Sequence, residues 1–377
     1  MNLLITVSIT LLLVYRAWSH SSLTPVGIVF AALTALIHGT HPSPLPFTLL
    51  CVFFLAGTRV TKVKAALKEG FTTAAGGRSG QSQSQNKGQD QRAKGKSEIK
   101  GEKRNHIQVL ANSGIASLLC LVQLYHNRTL AHPDPESCVP SIFPPSPSSS
   151  SPSTTPSRLP SLLLTGILAN YASVAADTFS SELGILALSP PRLITKPWMA
   201  VPRGTNGGVT AWGVLAGFLG AGVIGVAGAA VGLGCNALAG EGGRGASGSE
   251  WDWRRGSGGV RVGIGGLIAW VLAVAVWGTL GSLLDSLLGA LFQASVVETR
   301  TGKIVEGEGG GKVLVVGSGS RSGKVAAGDD SGKKGSRRVL VGSDLLSNNQ
   351  VNLLMAGVMS FGGMAVVASW SGLPRAT

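Results

Sequence analysis

Eight apolar runs, most of them close to the roughly 20 residues that a bilayer-crossing helix requires, constrain this chain more than any other feature. They cover 2–18, 23–40, 45–60, 107–125, 161–188, 206–234, 260–294 and 350–370. Only 13% of the residues are charged, against about 25% in soluble domains. The hydrophobic 44% is gathered into blocks, and the mean hydropathy is +0.30. The expected fold class is therefore all-α integral membrane: a polytopic helical bundle of about seven or eight spans, with disordered inserts.

The expected organisation follows the blocks. Residues 1–70 form N-terminal membrane spans, 71–104 a disordered basic cytosolic insert, and 105–126 a further span. A Pro/Ser-rich loop covers 127–160, core spans cover 161–297, a disordered Gly/Ser/Lys-rich loop covers 298–345, and a last span falls in 346–377. A Gly-rich stretch at 236–259 interrupts the core spans, and none of these inserts has the apolar content to fold alone. The first run lacks a basic leader and a small-residue cleavage site, which favours a retained anchor over a signal peptide. The run 260–294 is long for one span, and Gly278 and Gly281 mark an expected break within it.

The net charge is +14 and the isoelectric point about 10.1. The basic residues sit in loops without interleaved aromatics or a nucleic-acid-binding motif, which excludes nucleic acid as a partner. Cys51, Cys120, Cys138 and Cys235 are scattered without metal-ligand spacing, and His38 and His41 are read as loop residues. Loops 58–106, 189–205 and 298–347 hold twelve, three and nine of the 32 Lys and Arg residues. With eight spans all three fall on one side, which the positive-inside rule assigns to the cytosol.

Of the 18 acids only Asp177, Glu182 and Asp285 lie inside spans. A carboxylate near the bilayer centre costs roughly 2.5–3.5 kcal/mol on insertion scales, so each is a functional candidate, the plainer alternative being an acid that joins helices through hydrogen bonds. At helical spacing, Asn170, Ser173, Asp177, Ser181 and Gly184 share one face. Ser282, Asp285, Ser286, Gly289 and Gln293 share another. Such stripes are expected to face protein rather than lipid. Carboxylates among hydroxyls and amides make a hard-oxygen set suited to Mg²⁺, with Asp177 and Asp285 as the expected metal ligands.

The turn "VPRGTNGGVT" at 201–210 precedes a Gly-rich span. Backbone N–H groups of such a turn point at anions, and Arg203 adds a cation able to grip phosphate bidentately. Arg203, Gly204, Thr205, Asn206, Gly207 and Gly208 are therefore expected phosphate contacts, although a tight turn feeding a closely packed helix would look the same. Gly213 and Gly217 form a small-xxx-small pair just beyond. No Walker A sequence occurs. Asn348 reads as a helix cap, while Asn349 and Asn352 share a face and, with Ser286, join the expected phosphate-binding set.

At these residues the sequence becomes recognisable. "ADTFSSELG", "VPRGTNGGVTAWG", "GTLGSLLDSLLGALFQ" and "NNQVNLL" resemble segments of the transmembrane protein 19 family, as do "RNHIQVLANSG" at 104–114 and "TKVKAALKEGF" at 61–71. The plant relative in that family is a phytyl-phosphate kinase. The resemblance implies phosphate transfer from a nucleotide triphosphate to an isoprenyl monophosphate at the cytosolic face; Asp177, Glu182 and Asp285, the acids inside spans, are the expected catalytic residues. The implied partners are the lipid bilayer, an isoprenyl phosphate and the nucleotide, with Mg²⁺ as cofactor and no protein partner named. The expected location is an endomembrane such as the endoplasmic reticulum. The alternatives are a membrane transporter, which would also place acids inside a bundle, and a non-catalytic membrane scaffold.

The charge pattern makes one direct prediction. Single cysteines placed in loops 58–106, 189–205 and 298–347 of a cysteine-free variant should all react with an impermeant reagent from the same side. Labelling of any one loop from the opposite side would overturn this topology.

Overall fold

In lipid no water satisfies a backbone N–H or C=O, so an apolar run must pair its peptide groups within itself, and each run here becomes a helix. The computed structural model describes residues 3–68, 70–74, 103–129, 159–240, 264–306 and 337–370. The chain begins with α1 (Leu3–Ser19), α2 (Pro25–Gly39), α3 (Leu45–Lys62), the single turn α4 (Ala65–Lys68) and β1 (Thr72–Ala74). Helices α5 (His106–Thr129) and α6 (Leu159–Gly184) follow, then β2 (Arg192–Leu193), β3 (Lys196–Ala200) and β4 (Gly208–Val209). The rest is α7 (Ala211–Gly240), α8 (Ile264–Phe292), β5 (Ser295–Glu298), β6 (Ile304–Glu306), β7 (Arg337–Val341) and α9 (Asn348–Trp370).

The helical membrane bundle is as expected. Six helices (α3 and α5–α9) are long and apolar enough to cross a membrane, and α1 and α2 are shorter apolar helices. The interiors of the inserts expected to be disordered lie outside the described residues. Contrary to the expected disorder, the ends of two of them are structured. Strands from 71–104 and 298–345 join β5 in one four-stranded sheet, ordered β1-β6-β5-β7, with β1 parallel to β6. A second sheet, ordered β3-β2-β4, is built from the 189–210 segment. The Asn206 N–H donates to Ser295 Oγ at 2.9 Å, tying that segment to the start of β5. The three basic loops thus meet at one end of the bundle.

Helix α6 is the axis of the molecule. Every residue from Leu163 to Ala176 is buried, with α3, α5, α7, α8 and α9 packed around it. Several of its side chains are small, among them Ala169, Ala172, Ser173, Ala175 and Ala176, so its neighbours come very close. A Cβ on Gly278 would lie 2.5 Å from the Ala172 carbonyl oxygen, and one on Gly281 would lie 2.5 Å from Ser173 Cβ. On α7, a Cβ on Gly217 would lie 3.1 Å from the Ala176 carbonyl oxygen. The expected break in the 260–294 run is therefore corrected. Helix α8 continues unbroken through Gly278 and Gly281, because in lipid an interrupted ladder would strand peptide groups. The glycines serve contact instead.

The α2–α3 connection corrects a second expectation. His38 belongs to the last turn of α2 and is fully buried. Its Nδ1 donates to the Thr34 carbonyl (2.8 Å), so its Nε2 accepts from the Tyr171 hydroxyl (2.8 Å). Tyr171 is near the middle of α6, about 18 Å of helix short of Leu159. The turn at 40–44 thus lies within the height of α6 rather than beyond its end. Within it Thr40 and Pro42 are exposed while His41 and Ser43 are buried, Ser43 N–H donates to His41 Nδ1 (3.0 Å), and Leu45 N–H donates to Ser43 Oγ (3.1 Å).

These contacts predict a contrast between two glycine substitutions. Gly278→Ala forces its methyl group against backbone and should lower thermal stability by about 1–3 kcal/mol. Gly222→Ala, with nothing within 4 Å of the added carbon, should be neutral or stabilise by up to roughly 1 kcal/mol. Unfolding in mild detergent measures both, and equal melting of the two variants would contradict the close α6–α8 contact.

Candidate functional site

The site forms where α6 and α8 end and α7 and α9 begin. Thr210 caps α7 by accepting from the Gly213 N–H at 2.9 Å. The preceding turn folds back through Gly204 (φ +85°) and Gly207 (φ +76°), a left-handed conformation that glycine adopts without strain. Helices α6 and α8 run in the same direction here, and the contact between Ser173 and Gly281 sets their register. One helical turn further, Asp177 and Asp285 arrive at the same height.

Both line a polar cavity of about 360 Å³, near the lower end of the range for small-molecule pockets. All twelve residues expected from the sequence to form a site line it: Asp177 and Glu182 from α6, Arg203, Gly204, Thr205, Asn206, Gly207 and Gly208 from the turn and β4, Asp285 and Ser286 from α8, and Asn349 and Asn352 from α9. Of the two polar stripes, the upper members Ser181, Gly184, Gly289 and Gln293 also reach it. Asn170, Ser173 and Ser282 are buried below it. Asn170 Nδ2 donates to the Asn112 carbonyl at 2.9 Å, joining α6 to α5.

The partners of these side chains divide them by role. Asp177 and Asp285 are close enough for their charges to interact. Asn352, with its amide turned to satisfy both neighbours, donates to Asp285 Oδ1 and the Asn348 carbonyl, each at 3.0 Å. Glu182 is held differently. Its Oε2 accepts from Lys68 Nζ at 2.5 Å, and the same ammonium caps the end of α3 through the Val60 and Thr61 carbonyls (3.2 and 3.1 Å). Arg203 Nη2 donates to the Ala187 and Leu188 carbonyls (2.6 and 3.3 Å), and its guanidinium stacks 4.5 Å from the Phe71 ring centre. It brackets the loop after α6, so the free bidentate fork expected for phosphate is partly engaged.

The turn is likewise partly engaged. The N–H groups of Thr205, Asn206 and Gly208 donate to Pro202 O (3.2 Å), Ser295 Oγ (2.9 Å) and Thr205 O (2.9 Å). An anion would have to use the others. A Cβ on Gly207 would lie 2.4 Å from Ala290 Cβ and 2.8 Å from the Ser286 carbonyl. Glycine there permits packing on α8, not only approach of a ligand.

Polar residues outside the expected set add to the wall. Arg104, Gln108 and Asn112 line the cavity from α5 and the residue pair before it. Their spacing of four, just where a polar loop enters an apolar run, was a legible signal. Asn105 and Gln108 form a reciprocal capping pair (2.8 and 2.9 Å) that starts α5. Burial pulls the Arg104 guanidinium below its ordinary pKa, and the charge of Glu182 opposes that shift. Lys68, also not selected, contributes through Glu182.

Two facing carboxylates with amide and hydroxyl oxygens around them form a donor set that fits Mg²⁺, which takes one or two carboxylates and completes its shell with phosphate and water. No cluster of three or more His, Cys, Asp or Glu residues suited to a metal occurs among the described residues. A cation here would rest on the Asp177–Asp285 pair.

Comparison with known proteins places the chain. Protein PGR of Arabidopsis thaliana is 29% identical over 366 residues, covering 96% of this chain and 94% of that protein. The uncharacterized membrane protein MJ0933 of Methanocaldococcus jannaschii is 51% identical over 65 residues, 17% of this chain and 27% of that protein. No solved structure matches significantly. The family described as integral membrane protein DUF92 matches residues 8–360, nearly the whole chain, and bears out the family resemblance read from the motifs. The chain is a multi-pass integral membrane protein and belongs to the DUF92 family.

Proposed function

We propose that this protein is a prenyl-phosphate kinase that transfers a phosphoryl group from a nucleotide triphosphate to an isoprenyl monophosphate, facing the cytosol from an endomembrane such as the endoplasmic reticulum. One observation carries the reading: Asp177 and Asp285, from two helices in glycine-mediated contact, face a single polar cavity at the end of an apolar bundle. The resemblance of the surrounding motifs to the family of phytyl-phosphate kinase supplies the substrate class.

The chemistry asks little covalent work of the protein. An oxygen of the acceptor monophosphate forms the new bond to the γ-phosphorus, and the bond from that phosphorus to the departing nucleotide diphosphate breaks. The attacking oxygen is already anionic, so catalysis rests on positioning and on neutralising charge. Asp177 and Asp285 would hold Mg²⁺, which, when bound, offsets the charge of the phosphate oxygens. Asn352 fixes the orientation of Asp285. Arg104, Asn349, Ser286 and the remaining N–H groups of the 204–208 turn provide donors for phosphate, and Arg203 adds charge while bracketing the loop. The Lys68–Glu182 pair fastens α3 to α6 beside the site. Held by Lys68, Glu182 acts in this reading by positioning, where as an acid inside a span it was expected to be catalytic.

A transporter of the inverted-repeat type builds its site from broken helices. Helices α6 and α8 run unbroken past both acids, which favours the kinase.

Purified protein incubated with labelled CTP or ATP, Mg²⁺ and prenyl monophosphates tests the proposal. Asp177→Asn and Asp285→Asn should each lower transfer by about 100-fold or more while insertion stays normal. Arg203→Lys should be milder than Arg203→Ala, because the charge remains near the site. Full transfer by the Asp177→Asn, Asp285→Asn double variant would reduce the carboxylates to links between helices and end the kinase reading.

A further inference from the structure

A second space, of about 80 Å³, lies among α1, α2, α3 and α5. Its lining is mostly apolar, including Leu13, Val14, Ile28, Leu50 and Phe53. The hydroxyls of Thr10, Thr34 and Ser113 are each bound to a carbonyl of their own helix (2.7–2.9 Å), so none is left seeking a partner there. Ala31, Ala32 and Ala35 of α2 border the space. Packed interiors leave few voids larger than a water molecule, and these short side chains help keep this one open. Arg104, Gln108 and Asn112 line both this space and the polar cavity. The apolar space and the polar site therefore share one wall.

We propose that this space receives the first isoprene unit of the lipid acceptor, with Arg104 at the junction binding the acceptor's phosphate. The identity of the head group rests on the kinase reading; the placement of the tail rests on the shared wall. Arg104 is well fixed for the task. Its carbonyl accepts from Thr24 N–H (2.9 Å) and its N–H donates to Ser22 O (3.2 Å), clamping it between the starts of α2 and α5. A cation at the boundary of a polar and an apolar cavity matches a molecule that is an anion at one end and a hydrocarbon beyond. Size narrows the claim. A water-sized group needs about 10–15 Å³ of such space, so the cavity takes on the order of half a dozen such groups, which is one isoprene unit. The rest of the tail would lie among lipids, so recognition concentrates on the unit next to the phosphate and chain length counts for little.

The test uses full-length protein in lipid nanodiscs and geranyl monophosphate bearing a diazirine on its first isoprene unit, with labelled peptides mapped by mass spectrometry. Labelling should fall on α2 and α5. It should decline in order through Ala31→Val, Ala31→Leu and Ala31→Phe, by at least about tenfold at the last, with the milder variants guarding against misfolding of the largest. KM for geranyl and geranylgeranyl monophosphate should rise together across the series. Labelling on α7–α9, or labelling indifferent to the series in folded protein, overturns the tail site. Labelling on α2 and α5 without phosphotransfer upholds the tail site and ends the kinase reading. Phosphotransfer with unchanged KM in folded Ala31→Phe does the reverse.

Discussion

The contact of α6 with α8 at Ser173 and Gly281 governs the rest of this structure. A helix covered by protein on every side cannot take large side chains on all faces and still have neighbours close, and α6 resolves this with Ala, Ser and Gly while α7 and α8 answer with glycine. Lipid provides no hydrophobic drive for helices to associate, so van der Waals contact between such surfaces carries much of the association. The same closeness fixes register. Because α6 and α8 run in parallel, the turn above the contact presents two carboxylates at one height, and any slip along the pair would separate them.

Charge around that pair is arranged in tiers. Glu182 is matched by Lys68 and influences Arg104, which places the neutralised acid at the rim. Asp285 accepts from the Asn352 amide, and Asp177 faces the cavity beside it. Two like charges without a bound cationic side chain are unfavourable in a low-dielectric surrounding. In the proposed function, a cation bound in the cavity would offset them. The Asn206–Ser295 bond ties the 189–210 segment to the start of β5 at this end of the bundle.

Much of this was legible beforehand, for identifiable reasons. Apolar run length forecast the helices because a bilayer penalises every unpaired peptide group. The stripes centred on Asp177 and Asp285 were visible because polar residues are costly in spans and repeat with the helix period. Other features were not visible. Gly278 and Gly281 read as a break because glycine weakens a helix in water, whereas between close helices it is the residue that fits. Short strands such as β1 and β7 hid in low-complexity surroundings, since a pairing of three to five residues depends on partners far away in the chain. Arg203 and Glu182 were found as site residues, but their bonds to Ala187 and Lys68 depend on loop paths that spacing does not encode.

The chain's own order of residues determined that it is a membrane bundle, which helices carry acids, and which face of each helix those acids occupy, because these follow from hydropathy and from a 3.6-residue period. Tertiary structure alone decided that three helices, a glycine turn and the start of α5 meet in one cavity. It also decided that His38, in the last turn of α2, bonds to Tyr171 of α6, and that an apolar space opens on the far side of Arg104. Those outcomes depend on how closely two backbones approach and on where small residues leave room, quantities that exist only once the helices have packed.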